Sequence, residues 1–549
     1  MRIGTRRPQV ALMVAAVAAI LAGSLVACSG ESNEPGQSTQ AQKTTTAQAE
    51  KITQGATDGQ ALAGLPIGDP DLARQEASCT REVNNAPWYK TIAPVEHADI
   101  QRTTVFECAR FPGSMDGPNA VEAGKPVGNN SVPFNMATRN PDEMYIYAGG
   151  SFPSLHTYIS KLEPGSVKEV WRTYLSDARE NNELHLSGAV DVLANGEIIA
   201  ISDHTLYKLD GDSGKILVKQ DMPTGKSKPN NSAFNGIDAF PDGTIIARSM
   251  NRPEGCTKNG YQAAASPPSF GGCPGAPGSA PPSVLVAVDP DKLKVLDWIN
   301  LPDNISGRVT TTVFEGHKYA YVTATKKIYR YEWDGEQLKQ DSSWGPVTYT
   351  KPGQGQAGAS AVMNDWVTLS TNGNPAEVPM SVVAISQADD SEVARIDPNS
   401  SLKTGQVSYY YAKVSVDPEN DRIYVMDGGL GTASAIDLRD GKMSLAWKVN
   451  QLSNLYITLI GPKDERVFVQ TNQKPDEGVK VTELNPGPKG ANYTEQIQWR
   501  DAQSGKLLAE SGYYPPATAF AQVPPGYGGL IYDMLQDGRI VPMYVHPKE

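Results

Sequence analysis

The sequence predicts an all-β protein built as a single β-propeller of eight four-stranded antiparallel blades, or of seven if its last half-unit completes the first. Three observations carry this. First, residues 409–450 read as four short strands, Tyr410–Ser415, Arg422–Met426, Ala433–Leu438 and Met443–Val449, separated by Asp/Asn/Gly-rich turns. A unit of about 40 residues with four such strands is the size of one propeller blade. Second, the pattern recurs from residue 138 to residue 545. Third, 51 Gly and 41 Pro against scarce helical periodicity favour short strands joined by turns over helices.

The repeats follow in order. Residues 138–174 hold three apolar runs. Residues 186–223 hold AVDVLANGEIIAIS with an Asn195-Gly196 turn. Residues 234–302 hold NGIDAFPDGTIIARS and, after a long insertion, SVLVAVDPDKLKVLDW. Units at 308–349, 355–398, 409–450 and 454–515 come next, and Gly528–Val545 supplies half a unit. The second hairpin is the most self-similar part: YKLDGDSGKIL, VAVDPDKLKVL, YRYEWDGEQLK, SAIDLRDGKMS and QWRDAQSGKLL each end a strand on an acid and turn through polar residues. A terminal half-unit needs a strand from elsewhere, because an unpaired edge invites aggregation. The segment 69–133, with one strand expected at Thr103–Cys108, is the lead-in that closes the ring, either as a small cap or as an outer strand of the last blade.

The N-terminus predicts the cellular address. Arg2, Arg6 and Arg7 precede an apolar run, Val10–Ala27, that ends in small residues before Cys28. This is the layout of an export signal rather than of a spanning helix. Leu25-Val26-Ala27-Cys28 is similar to the lipobox of bacterial lipoproteins, which implies cleavage after residue 27, lipid on Cys28 and attachment to the outer face of a bacterial membrane. Residues 28–68, rich in Ser, Gln and Thr, then read as a disordered tether, and 134–549 as the propeller. The chain has five cysteines. With Cys28 assigned to lipid, Cys79, Cys108, Cys256 and Cys273 remain for two disulfides. Three pairings are possible, and Cys79–Cys108 with Cys256–Cys273 closes the shortest loops. The formal charge of −12 becomes more negative once three arginines leave with the signal, so nucleic acid is excluded as a partner.

The residues Ala435, Asp437, Asp440, Gly441 and Trp447 resemble the Ala-x-Asp-x-x-Thr-Gly-Trp repeat of quinoprotein-like propellers, with altered spacing to the Trp. That resemblance implies the fold across 138–545. Dehydrogenases of that group that use pyrroloquinoline quinone commonly carry a vicinal cysteine pair, and this sequence has none. Asn235-Gly236 followed by Pro241-Asp242-Gly243 resembles a stretch of calcium-dependent lactonase and esterase propellers. The resemblance implies Ca²⁺ on Asn235 in the central channel, with Asp238 or Asp427 as further oxygen ligands.

Other motifs are silent. The six histidines show no metal spacing, Gly353-x-Gly355-x-x-Gly358 has no helix after it, and there is no GxSxG, P-loop or CxxC. Trp298, Trp333 and Trp447 are expected in inter-blade packing. The insertion 250–282, with Tyr261 and Phe270 and stapled by Cys256–Cys273, is expected beside the Asn235 loop as recognition surface. The first functional expectation is therefore a lipid-anchored, extracytoplasmic binding or scaffold module that takes a protein or small-molecule ligand on one face. The second is a calcium-dependent lactonase or esterase, and the third a quinone-dependent dehydrogenase.

Overall fold

The computed structural model describes residues 68–549 apart from 85, 125–127, 129–131, 150–155, 176–183, 185–187, 255–279, 306, 356–357, 374–375, 485–490 and 518–520. Among the described residues the strands form eight sheets, arranged as the blades of an eight-bladed β-propeller. Blade one comprises Pro133–Asn140, Glu143–Ala148, Tyr158–Leu162 and Glu169–Tyr174. The next five start with Val190–Val192, Ser232–Ala239, Thr310–Phe314, Ala361–Met363 and Ser415–Asp417. Blade seven starts with Thr458–Ile460, and blade eight contains Ile531–Met534 and Ile540–Pro547. The first strand of each of blades one to seven lies toward the axis and is largely buried, whereas the fourth strands of blades two and three alternate half-buried and exposed residues at the rim.

The recurring acid of the second hairpin has a local cause. Oδ1 of Asp210, Asp289, Asp334, Asp389 and Asp501 accepts hydrogen bonds from backbone N–H groups two or three residues on, at 2.6–3.0 Å. Each carboxylate replaces the backbone acceptor a tight turn needs. In blade six the corresponding Asp437 pairs instead with Nε of Arg422, at 2.8 Å. Trp447 donates its indole N–H to Ala502 O of blade seven at 2.9 Å, and Trp333 is buried between blades three and four. Trp298 differs from expectation. It stands 40% exposed on the rim strand of blade three.

Ring closure uses the N-terminal segment twice. Asn119–Ala123 pairs antiparallel with Ile540–Pro547, as Asn119 opposite Pro547 through Ala123 opposite Met543, and supplies the outer strand of blade eight. Val105–Phe106 pairs in parallel with Leu459–Ile460, the innermost strand of blade seven. The strand expected at Thr103–Cys108 is thus an inner strand at the axis, not an outer one. The first strand of the 409–450 unit is Ser415–Asp417 rather than Tyr410–Ser415. Residues 409–412 form the approach to it, with Tyr410 N–H bonded to Asn372 Oδ1 of the preceding blade.

The lead-in also contains a helix, Pro70–Glu82, capped by Asp69 Oδ1, which accepts from the N–H groups of Asp71 and Leu72. Its buried Glu76 accepts from Arg110 N–H at 2.9 Å and Gly528 N–H at 2.6 Å, which fastens the helix to blade eight. A Cys79–Cys108 disulfide ties the same helix to the end of the axial segment. Cys28, Cys256 and Cys273 lie outside the described residues. The base of the insertion is described: Asn251 Nδ2 donates to Pro282 O at 2.6 Å, so its two flanks are joined without a disulfide.

Candidate functional site

The central channel is filled by the chain's own residues 91–106. In order along the segment, Ala93 O accepts from Thr138 N–H of blade one, and Pro94 O accepts from Val192 N–H of blade two. Ile100 O, Gln101 O and Thr103 O accept from Thr311, Val362 and Val416 of blades four, five and six. Thr104 O accepts from Leu459 N–H of blade seven. Arg102 reaches Ile237 O of blade three at 2.8 Å. His97 N–H and the Thr91 hydroxyl bond Gln522 Oε1 and Tyr527 OH on the approach to blade eight, at 3.4 and 3.0 Å. The innermost strands of a propeller leave peptide groups facing the axis, and here a single loop satisfies them. Its path requires positive φ at four non-glycine residues, His97, Ala98, Arg102 and Thr104, with values of 56–78°. Such angles cost about 1 kcal/mol each and persist only where surrounding bonds impose them.

A charged network is buried with the loop. Glu96 receives both Nε and Nη2 of Arg308, at 2.6 and 2.8 Å. Arg102 lies 3.4 Å from Glu96, 3.6 Å from Asp238 and 3.0 Å from Nδ1 of His97, while its Nε donates to Val309 O at 2.6 Å. His97 also packs on the ring of Tyr456, with centroids 4.3 Å apart. Burial, with Lys413, Arg102 and Arg308 nearby, holds the imidazole well below its ordinary pKa and therefore neutral. Burial pushes the Asp238 carboxyl up to about 7 against the pull of Arg102. It lowers the Lys413 ammonium, which donates to the carbonyls of Arg102 and Val414.

The three residues expected to bind calcium are not brought together. Asn235 lies inside the innermost strand of blade three, where the register shifts between Phe234 and Ile237, and its Oδ1 accepts from Arg248. It is in a bulge rather than in an entry loop. Asp238, three residues on, faces Arg102 and accepts Thr311 N–H at 3.1 Å. Asp427 is three blades away. Its Oδ1 accepts the N–H groups of Gly429 and Leu430 at 3.1 Å, and its Oδ2 accepts from Ser408 and Asn399. Among the described residues, no group of three or more His, Cys, Asp or Glu is gathered as a metal centre.

A cleft of about 700 Å³ opens instead between blades four and five, on the face that carries the first-to-second and third-to-fourth strand turns. Gln101 of the axial loop forms its inner wall. Val313, Phe314 and Glu315 come from one hairpin, Asn364, Asp365 and Trp366 from the next, and Ser386, Gln387, Ala388 and Glu392 from a third. Glu315-Gly316 is a tight turn with both φ positive, which sets the carboxylate at the hairpin tip. Glu315, Asp365 and Glu392 are exposed, Trp366 is half-buried, and among the described residues no basic side chain lines the cleft. Sequence reading missed both features. The axial loop has no periodicity, and the cleft acids are ordinary turn residues whose convergence comes only from blade order.

No family model matches the sequence, and no curated protein is similar to it. Among solved structures, the chain is similar to the quinohemoprotein alcohol dehydrogenase of Comamonas testosteroni, with 12% identity and a TM-score of 0.50 over 87% of this chain and 86% of that one. It is similar to a quinohemoprotein alcohol dehydrogenase of Pseudomonas putida HK5, with 10% identity and a TM-score of 0.50 over 87% and 82%. BamB of Moraxella catarrhalis aligns with 10% identity and a TM-score of 0.45 over 76% of this chain and 98% of that one. At these identities the likeness shows the fold alone: the body of this chain is an eight-bladed β-propeller.

Proposed function

We propose that this chain is an exported, lipid-anchored binding module, and that it receives a cationic, partly apolar segment of another protein in the cleft between blades four and five. The observation that carries the reading is the filled channel. A propeller that acts on a small molecule at its centre needs room there, and here residues 91–106 bond across it to every side. Recognition then belongs to the faces. The cleft offers three carboxylates around the half-buried ring of Trp366, which suits Lys or Arg side chains carried on an apolar stretch.

Fluorescence anisotropy with labelled Lys- and Tyr-containing peptides tests this. Reversing Glu315, Asp365 and Glu392 to Lys should weaken binding by about tenfold or more, whereas reversing the exposed Glu336, Asp464 and Glu465 should change it about twofold or less. Equal effects from the two sets would reduce the binding to net charge and remove the cleft from the account. Lactone hydrolysis that depends on Asn235 would replace the reading altogether.

The anchor is tested separately. Cys28→Ala should abolish labelling by a fatty acid in cells, and label retained by the variant would remove the anchor.

A further inference from the structure

Two carboxyls without a counter-charge are buried at the seam between blades seven and eight. Gln473 and Glu495 are directly opposed on neighbouring strands of blade seven. Tyr514, from the connection leaving that blade, is bridged to Glu495 on its other side. Opposed residues present their side chains on the same face, so the three stand in a row. Asp533 meets them from Ile531–Met534 of blade eight, next to the Tyr514 hydroxyl and within reach of the charge on Glu495. Glu495 and Asp533 are 0% exposed and Gln473 is 7% exposed.

Hydrogen bonding leaves this group incomplete. One oxygen of Glu495 accepts from Ala517 N–H. The other oxygen of Glu495, both oxygens of Asp533 and Oε1 of Gln473 accept no well-aligned hydrogen bond, and what lies nearest is the Tyr514 hydroxyl beside Asp533 and the Gln473 amide beside Glu495. Among the described residues no Lys, Arg or His acts on either acid. Burial raises both carboxyls, and repulsion from Asp533 raises Glu495 further. Buried carboxylates left bare are strongly destabilising. A proton shared between the acids would quiet the charge but would leave the Gln473 oxygen unanswered.

The unpartnered atoms are all oxygens, with two formal negative charges and no nitrogen or sulfur among them. That is the donor chemistry of a hard cation large enough to accept irregular geometry. We propose that the seam holds a structural Ca²⁺, ligated by Glu495, Asp533 and the Gln473 amide oxygen beside the Tyr514 hydroxyl. The ion would clamp the blade completed by the two chain ends to its neighbour. This proposal is independent of the cleft.

The purified full chain is the material for the test. Elemental analysis after gel filtration should find about one calcium per chain, lost from Glu495→Gln and from Asp533→Asn. EDTA should lower the melting temperature of the parent, and CaCl2 should restore it where MgCl2 and NaCl at matched ionic strength do not. Terbium titration should give tyrosine-sensitised emission in the parent, with half-saturation shifted about tenfold or more in either variant. Because a variant can fail to fold, the parent decides. A metal-free parent whose melting ignores both EDTA and CaCl2 overturns the proposal, and so does calcium that both variants retain. If that indifferent parent melts lower than its Asp533→Asn variant, the pair shares a proton instead.

Discussion

An Arg102→Met variant is expected to lose roughly 3–5 kcal/mol of stability, the penalty for removing one partner of a buried ion pair. Arg102 is 1% exposed. Its guanidinium donates to Val309 O and Ile237 O, contacts Glu96 and Asp238, and bonds His97. Methionine fills much of the volume, so the loss isolates the charge and the bonds rather than a cavity. The deficit should depend on pH, and its sign follows from Asp238. The folded-state pKa of that acid already stands raised to about 7, through burial, against an ordinary 3.8. Without Arg102 it rises further. A raised carboxyl binds its proton more tightly in the folded state, so its contribution is full below about pH 4 and is lost as pH rises through the folded pKa. Urea unfolding should therefore show a larger deficit at pH 8 than at pH 5. A deficit below about 1 kcal/mol at both values would mean that the axial loop does not hold the ring.

Deleting residues 530–549 should leave no folded protein. The deletion removes Ile531–Met534 and Ile540–Pro547 and strands Asn119–Ala123 without a partner. It also takes away the buried side chains Ile531, Tyr532, Met534, Leu535, Ile540, Val541, Met543 and Val545. Each buried side chain of this size is worth about 1.5–3 kcal/mol. Together they match or exceed the 5–15 kcal/mol net stability typical of a whole domain. Tyr532 also accepts Gly165 N–H of blade one at 3.0 Å, so the loss reaches across the closure on both sides. Circular dichroism and solubility measure the outcome. A truncated chain that melts with its parent would refute closure by the two ends.

Much of this architecture was legible in the residues, for a local reason. The turn-forming acids Asp210, Asp289, Asp334, Asp389 and Asp501 recur because these five third-to-fourth strand hairpins use the same side-chain acceptor, and that need is written within three residues. The half-unit at 528–545 was equally plain, because an incomplete repeat shows in the spacing. The axial loop was not legible. Pro94, Ile100 and Thr104 bond partners far away in the chain, through backbone carbonyls that any residue type supplies. Asn235 misled for the opposite reason: Asn-Gly marks turns and metal loops alike, and here it marks a bulge where Gly236 leaves space for Arg308. The cleft acids and the Gln473, Glu495, Tyr514 and Asp533 group each join residues from separate repeats or connections, so no window of sequence contains them.

The loop in the channel also sets an order of assembly. A chain that emerges N-terminus first delivers its hub before any spoke exists to receive it. Thr104 must wait for Leu459, and Val105–Phe106 for the innermost strand of blade seven. Until then the segment is held by the short-range Cys79–Cys108 link to the helix Pro70–Glu82 and by the bonds of Ala93 and Pro94 to blades one and two. Contacts this distant in sequence make folding slow, because the intervening chain must be confined before they form. The wheel is thus built around an axle already in place, and the hub is locked only once blade seven has been made.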